Sequence, residues 1–300
     1  MKKMFFLLIV MMVLQTAGVS QASQDTPLEA SPAYTSSNQA VTPSNGFTDS
    51  ESGMEFVHVT GGCYCMGAVA NAVSRDTAPV HQVCIDDYYI GKYEVTQAQW
   101  RAIMGSNPST MNSCGDNCPV VDVSWNEAQE FTRRLSERTG KVFRLPTEAE
   151  WEYAVRSSGT QAKNLLASAA SSAAKPGLRP VGWSKPNGFG IYDLQGSVWE
   201  WTADRYSPNY YRTSPTNNPE GPSEGNYRVL RGGSWVDTSQ SIQPTLRIKY
   251  EPWIKRAWVG LRLLSPDQSS AKYKFPNVLA VKESAIQDRQ CKPIQEALIR

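Results

Sequence analysis

Arg144-Leu145-Pro146-Thr147-Glu148-Ala149-Glu150-Trp151-Glu152-Tyr153-Ala154 carries the densest local signal in this 300-residue chain. Thr147, with Glu150 three places on, has the form of a capping box: the hydroxyl accepts from the third helical amide while the carboxylate reaches back to the cap. A helix is therefore predicted after Thr147, carrying Trp151, Tyr153 and Ala154. The same box recurs at Thr96-Gln97-Ala98-Gln99 and at Ser124-Trp125-Asn126-Glu127. The latter continues with Ala128, Phe131 and Leu135 at helical spacing and stops at Gly140. Short strands are predicted at residues 55–59, 80–85 and 259–263. Residues 157–239 are punctuated by Gly, Pro and Asn, so that stretch is expected to be largely loop.

All nine tryptophans lie between Trp100 and Trp258, inside one domain placed at residues 51–264. Irregular backbone must satisfy its buried amides without ladders, and an indole supplies apolar area together with one polar handle. Upstream, Lys2 and Lys3 precede an apolar run over residues 4–14, and Ser20-Gln21-Ala22 offers a cleavage point. Residues 1–22 thus read as a secretory signal peptide, since a membrane span needs about 20 apolar residues. Residues 23–50, rich in Ser, Thr, Pro, Asn and Gln, read as a flexible linker. Residues 265–300 read as a C-terminal extension with a short helix near its end.

Export makes the mature protein periplasmic or secreted. The whole chain carries a formal net charge of +2, and loss of Lys2 and Lys3 leaves 28 basic against 28 acidic residues. That balance supplies no field for nucleic acid or, after signal cleavage, for a membrane surface. Six cysteines in an exported chain favour disulfides. Cys114-Gly115-Asp116-Asn117-Cys118 has turn residues that bring its sulfurs together. Cys63 with Cys84 and Cys65 with Cys291 complete the expected set. Zinc competes for the two close pairs, although the Cys-x-Cys spacing is tight and no histidine adjoins it.

Six blocks in order give a resemblance. They are Pro79-Val80-His81-Gln82-Val83 with Gly91-Lys92-Tyr93-Glu94-Val95-Thr96; Pro119-Val120-Val121-Asp122-Val123-Ser124-Trp125; the Arg144 to Ala154 stretch; Asn187-Gly188-Phe189-Gly190-Ile191-Tyr192-Asp193 running to Trp199-Glu200-Trp201; Arg231-Gly232-Gly233-Ser234-Trp235; and Val259-Gly260-Leu261-Arg262. Together they resemble the formylglycine-generating enzyme, or sulfatase-modifying factor, domain family. The resemblance implies an α+β, irregular, C-type-lectin-like fold with little regular secondary structure. For active members it implies oxidation of a sulfatase cysteine to formylglycine by oxygen and copper held on two thiolates, soft ligands suited to Cu(I). The matching positions here hold Asp237 and Ile242, and no cysteine stands between Cys118 and Cys291. No copper is therefore expected.

The iron-dependent sulfoxide synthases of the same family need a histidine cluster, whereas this chain has only His58 and His81, both read as structural. The resemblance also implies a structural calcium site, matched here by the side chains of Asp193 and Glu200 and the carbonyls of Gly196 and Val198. The family's second calcium site falls at residues 163–182; its core, residues 164–172, has no acidic residue, so that site is expected to be absent. The region after Trp235 is mixed in composition, unlike the Asn-dense face of the diversified relatives with this fold. The expected function is non-catalytic binding of a peptide, glycan or protein through the family pocket around Trp199, Ser234, Trp235 and Asp237. Two alternatives stay open: a formylglycine-generating oxidase, or an enzyme of unknown chemistry using Asp237 as acid or base.

Overall fold

A computed structural model describes residues 46–68, 74–156, 177–238, 242–267 and Cys291. The signal segment, most of the linker, the extension beyond residue 267 apart from Cys291, and residues 163–176 of the second cation stretch lie outside the described residues.

Among the described residues there are three α-helices and ten short strands in three small sheets. The strands are β1 (Phe47–Thr48), β2 (Glu55–Val59), β3 (Gly62–Met66), β4 (His81–Ile85), β5 (Tyr88–Gly91), β6 (Trp199–Arg205), β7 (Arg228–Arg231), β8 (Arg247–Tyr250), β9 (Val259–Gly260) and β10 (Leu264–Pro266). The helices are α1 (Gln97–Met104), α2 (Trp125–Thr139) and α3 (Glu148–Arg156). One sheet runs β1-β2-β5-β10, a second is the β3-β4 hairpin, and the third runs β8-β7-β6-β9. This is the irregular α+β architecture expected.

The capping boxes form as written. The Thr96 and Ser124 hydroxyls accept from the Gln99 and Glu127 amides, and both side chains reach back. At α3 the Glu150 amide donates to the Thr147 hydroxyl at 3.2 Å, while the Thr147 amide donates to Glu150 at 2.7 Å. Glycines at φ 88° and 69°, Gly105 and Gly140, end α1 and α2 in the left-handed conformation.

Two apolar clusters form the core. In one, Trp100, Phe131, Leu135, Trp199, Trp201 and Leu261 pack α1 and α2 on the third sheet. In the other, Ile85, Tyr88, Ile90, Trp151, Ala154 and Leu264 pack α3 on the first two sheets. The indoles use their polar handle as expected: Trp125 donates to the Thr202 carbonyl and Trp201 to the Val123 carbonyl, at 2.8 and 2.9 Å.

Three expectations need correction. The first strand, Phe47–Thr48, precedes the boundary set at residue 51, because Phe47 stacks on Phe56 at 4.9 Å between ring centres. The stretch expected to be loop contains β6 and β7, neighbouring inner strands of the third sheet. Trp199, Glu200, Trp201 and Thr202 are all buried, so β6 shows no two-residue alternation to betray it. The strand expected at residues 259–263 ends at Gly260. Leu261 and Leu263 then accept from Val95 and Gly91, carrying the chain from one sheet to another.

Candidate functional site

The third sheet positions the family pocket. β6 delivers Trp199, and antiparallel β7 ends at Arg231, where the chain turns through Gly232 and Gly233 at φ 109° and 75°. A methyl group on Gly232 would stand 3.1 Å from the Leu194 carbonyl oxygen and 3.3 Å from the Trp151 ring. On Gly233 it would stand 2.9 Å from the Ile242 side chain. Both positions combine positive φ with a close approach, which only glycine tolerates.

Beyond the turn, Asp237 folds back onto Ser234 and Trp199. Its Oδ2 accepts from the Ser234 amide at 2.8 Å, the Ser234 hydroxyl at 2.7 Å and Trp199 Nε1 at 2.9 Å. Sequence reasoning placed Trp199, Ser234, Trp235 and Asp237 in one pocket, and the fold does bring them together. Trp199 and Ser234 are buried, however, and only Trp235 and Asp237 reach partly to solvent. The Trp235 indole N–H is buried with no hydrogen-bond partner among the described residues. Ile242, at the other expected thiolate position, is buried against Gly233. A separate groove of about 370 Å³, lined by Phe47, Phe56, Lys92 and Phe189, involves none of the four.

All six cysteines are spent in disulfides: Cys63–Cys84, Cys65–Cys291 and Cys114–Cys118. These are the expected pairings, and they leave no thiolate for zinc. Neither histidine lies in the pocket. His81 Nδ1 lies 3.1 Å from the Pro79 carbonyl oxygen, its ring packs on Tyr211, and burial lowers its pKa. His58 lies on β2.

Apart from Glu200, named as a cation ligand, the buried charge pairs are what sequence reasoning missed. Arg262 donates to both oxygens of Glu200 at 2.9–3.2 Å and to the Gly91 and Tyr192 carbonyls. Arg231 pairs with Glu152 and Glu148, and Glu148 also accepts from Arg247 at 2.7 Å. Burial raises the pKa of Glu152, but Arg231, Arg156 and the Gly67 amide outweigh it and hold the carboxyl below its usual range. All of these charges except Arg156 and Arg247 lie inside the quoted blocks, but which acid meets which base depends on segments far apart in sequence.

The cation site needs a different reading. Asp193 accepts from the Ser184 amide at 2.9 Å and from the Gly182 amide. Glu200 is taken by Arg262 and by Trp151 Nε1 at 2.8 Å. Buried oxygens without a well-formed hydrogen bond among the described residues include Gln195 Oε1 and those of Glu94, the latter met only weakly by the nearby Ser197 side chain; Asp49 Oδ1 is another. Burial first, then the charge of Asp193, pushes the Glu94 carboxyl well above the usual range. Gln195 and Glu94 stand outside the expected ligand set, whereas the expected carboxylates, Asp193 and Glu200, already accept from backbone amides, Arg262 and Trp151; hard oxygens of both kinds are the donor type calcium takes.

Residues 42–266 match the sulfatase-modifying factor enzyme 1-like domain. The chain is 37% identical over 166 residues to the formylglycine-generating enzyme of Streptomyces coelicolor, a match covering 47% of this chain and 49% of that relative, so it spans about half of that relative's length. It is 29% identical over 237 residues to the chaperone protein LppX of Paenibacillus barcinonensis, covering 59% and 80%. Variable protein 1 of Treponema denticola superimposes with a TM-score of 0.64 at 26% identity, covering 74% of this chain and 98% of that one. With the glycine turn, the β6–β7 pair and the ordered blocks all in place, this chain belongs to the sulfatase-modifying factor enzyme 1-like domain family.

Proposed function

We propose that this chain is an exported, non-catalytic member of its family that binds a peptide, glycan or protein partner on the face around Trp235 and Asp237. One observation carries the reading: every cysteine is in a disulfide, and the positions that resemblance assigns to the copper thiolates hold a carboxylate tied to Ser234 and a packed isoleucine. Neither is a soft donor for Cu(I). The part-exposed side chains of Trp235 and Asp237 give that face an aromatic surface beside a carboxylate, which supports a binding role. Three disulfides support an oxidising compartment. No helix among the described residues is long and apolar enough to cross a membrane.

Calcium belongs to the same proposal, with Asp193, the Gly196 and Val198 carbonyls, Gln195 and Glu94 as donors; Glu200 would join only by giving up its bonds to Arg262 and Trp151. An oxidase is the second reading, favoured by the identity to the Streptomyces enzyme. The purified mature protein, given Cu(I), oxygen and a sulfatase-motif cysteine peptide, is expected to leave the peptide unchanged by mass spectrometry. Conversion of that cysteine to formylglycine would overturn the proposal.

A further inference from the structure

We propose a divalent-metal site, distinct from the family pocket, at the end of the first sheet, built from His58, Asp87 and Asp267. His58 sits on β2 opposite Tyr89 of β5, and β5 is flanked on its other side by β10. Asp87 immediately precedes β5 and Asp267 immediately follows β10, so three adjacent strands bring the three side chains to one place. His58 Nε2 stands 3.4 Å from Asp267 Oδ2 and 3.6 Å from Asp87 Oδ2. One ligating atom from each lies within 4.8 Å of the others.

These separations leave room for an ion. A charge-assisted N–H···O bond measures about 2.7–2.9 Å, shorter than either contact. Ligand atoms held about 2.0–2.1 Å from a tetrahedral zinc stand about 3.3–3.4 Å apart. The two histidine contacts lie near that spacing, and the third pair, Asp87 with Asp267, stands within 4.8 Å, close enough for an ion to draw the carboxylates onto it. Asp87 is also oriented from behind: its Oδ1 accepts from the Gly61 amide at 2.7 Å, leaving Oδ2 toward the histidine, as metal-ligating carboxylates are commonly held. The side chains of His58, Asp267 and Asp87 are 18%, 13% and 37% exposed, which gives an ion a route in. One imidazole with two carboxylates suits zinc better than calcium, which takes six to eight oxygens. Three protein ligands leave a fourth position for water or a ligand donor, and the ion pins the end of β10.

The test uses the full mature protein, stripped with chelator and titrated with Zn²⁺ by calorimetry in saturating Ca²⁺, so that the calcium loop does not compete. One equivalent of zinc is expected, with affinity reduced at least tenfold in His58→Ala and in Asp87→Asn. Circular dichroism confirms that each variant is folded, and Co²⁺ substitution in the wild type should give the visible absorption of a low-coordinate N/O site. Absence of stoichiometric binding, or binding undiminished in both folded variants, would overturn the site and leave the three side chains as an ion-pair clasp.

Discussion

Glu94 and Glu152 are both buried carboxylates, yet their surroundings drive them in opposite directions. Glu94 has an arginine nitrogen, Arg262 Nη2, at 3.9 Å and a weak contact from the Ser197 side chain, and its pKa is raised well above normal by burial and then by Asp193. A group raised in the folded state contributes stability that is complete below its unfolded pKa, about 4.3, and is lost as pH rises through the folded value. Metal-free protein should therefore lose stability on the alkaline side of that value. Glu94→Gln should remove this part of the slope and raise the neutral-pH unfolding midpoint in chelator. Calcium should stabilise the wild type and have a smaller effect on the variant. Thermal unfolding at several pH values, with and without Ca²⁺, reads all three effects, and a variant less stable than wild type in chelator at pH 7 would contradict them.

At the scale of elements, α3 is tied to β7 by charge as well as by packing. Glu152 meets Arg231 with both side chains fully buried, and also accepts from Arg156 at 2.6 Å and the Gly67 amide at 2.9 Å. Removing one partner of such a pair strands the other in low dielectric, at a cost of about 3–5 kcal/mol. Glu152→Gln is expected to destabilise by that amount in urea unfolding. Because the Glu152 pKa is depressed in the fold, the stability it contributes is present above the unfolded value and lost as pH falls through the folded one. The gap between wild type and variant should then narrow in acid. An unchanged gap would mean that Glu152 serves the fold only through its shape.

For the whole molecule, the Cys65–Cys291 bridge joins residues 226 apart in sequence. Closing so long a loop restricts the unfolded chain by an amount on the order of 5 kcal/mol in the entropic model. Cys291→Ser, with Cys65→Ser to avoid a free thiol, should lower stability by about 2–5 kcal/mol while leaving the sheets intact by circular dichroism. The intact protein should show no thiol reactive to alkylation until it is reduced. A labelled cysteine in the native, unreduced protein would break both this picture and the reason for excluding copper.

The three helices, their caps, β2 and the family blocks were legible in the sequence because each is a local pattern: a hydroxyl three residues before a Glu or Gln, or apolar residues at fixed spacing. β6 was not, since a strand buried on both faces has no alternation. That Trp199, Ser234 and Asp237 meet followed from the resemblance of the Arg231–Trp235 block, and the turn at Gly232 and Gly233 is what lets the fold join them. Which oxygens would be spent and which left over could not be read, because Arg262, Glu200 and Trp151 come from distant segments and meet only after the sheets form. His58, Asp87 and Asp267 make the same point, being unremarkable along the chain and adjacent only through strand pairing. The sequence by itself determined the family, the helix starts and the absence of thiolates at residues 237 and 242, since residue identity and short-range spacing suffice for those. Only the tertiary structure decided how charges and ligand atoms are partnered, because that depends on contacts between strands that sequence order keeps apart.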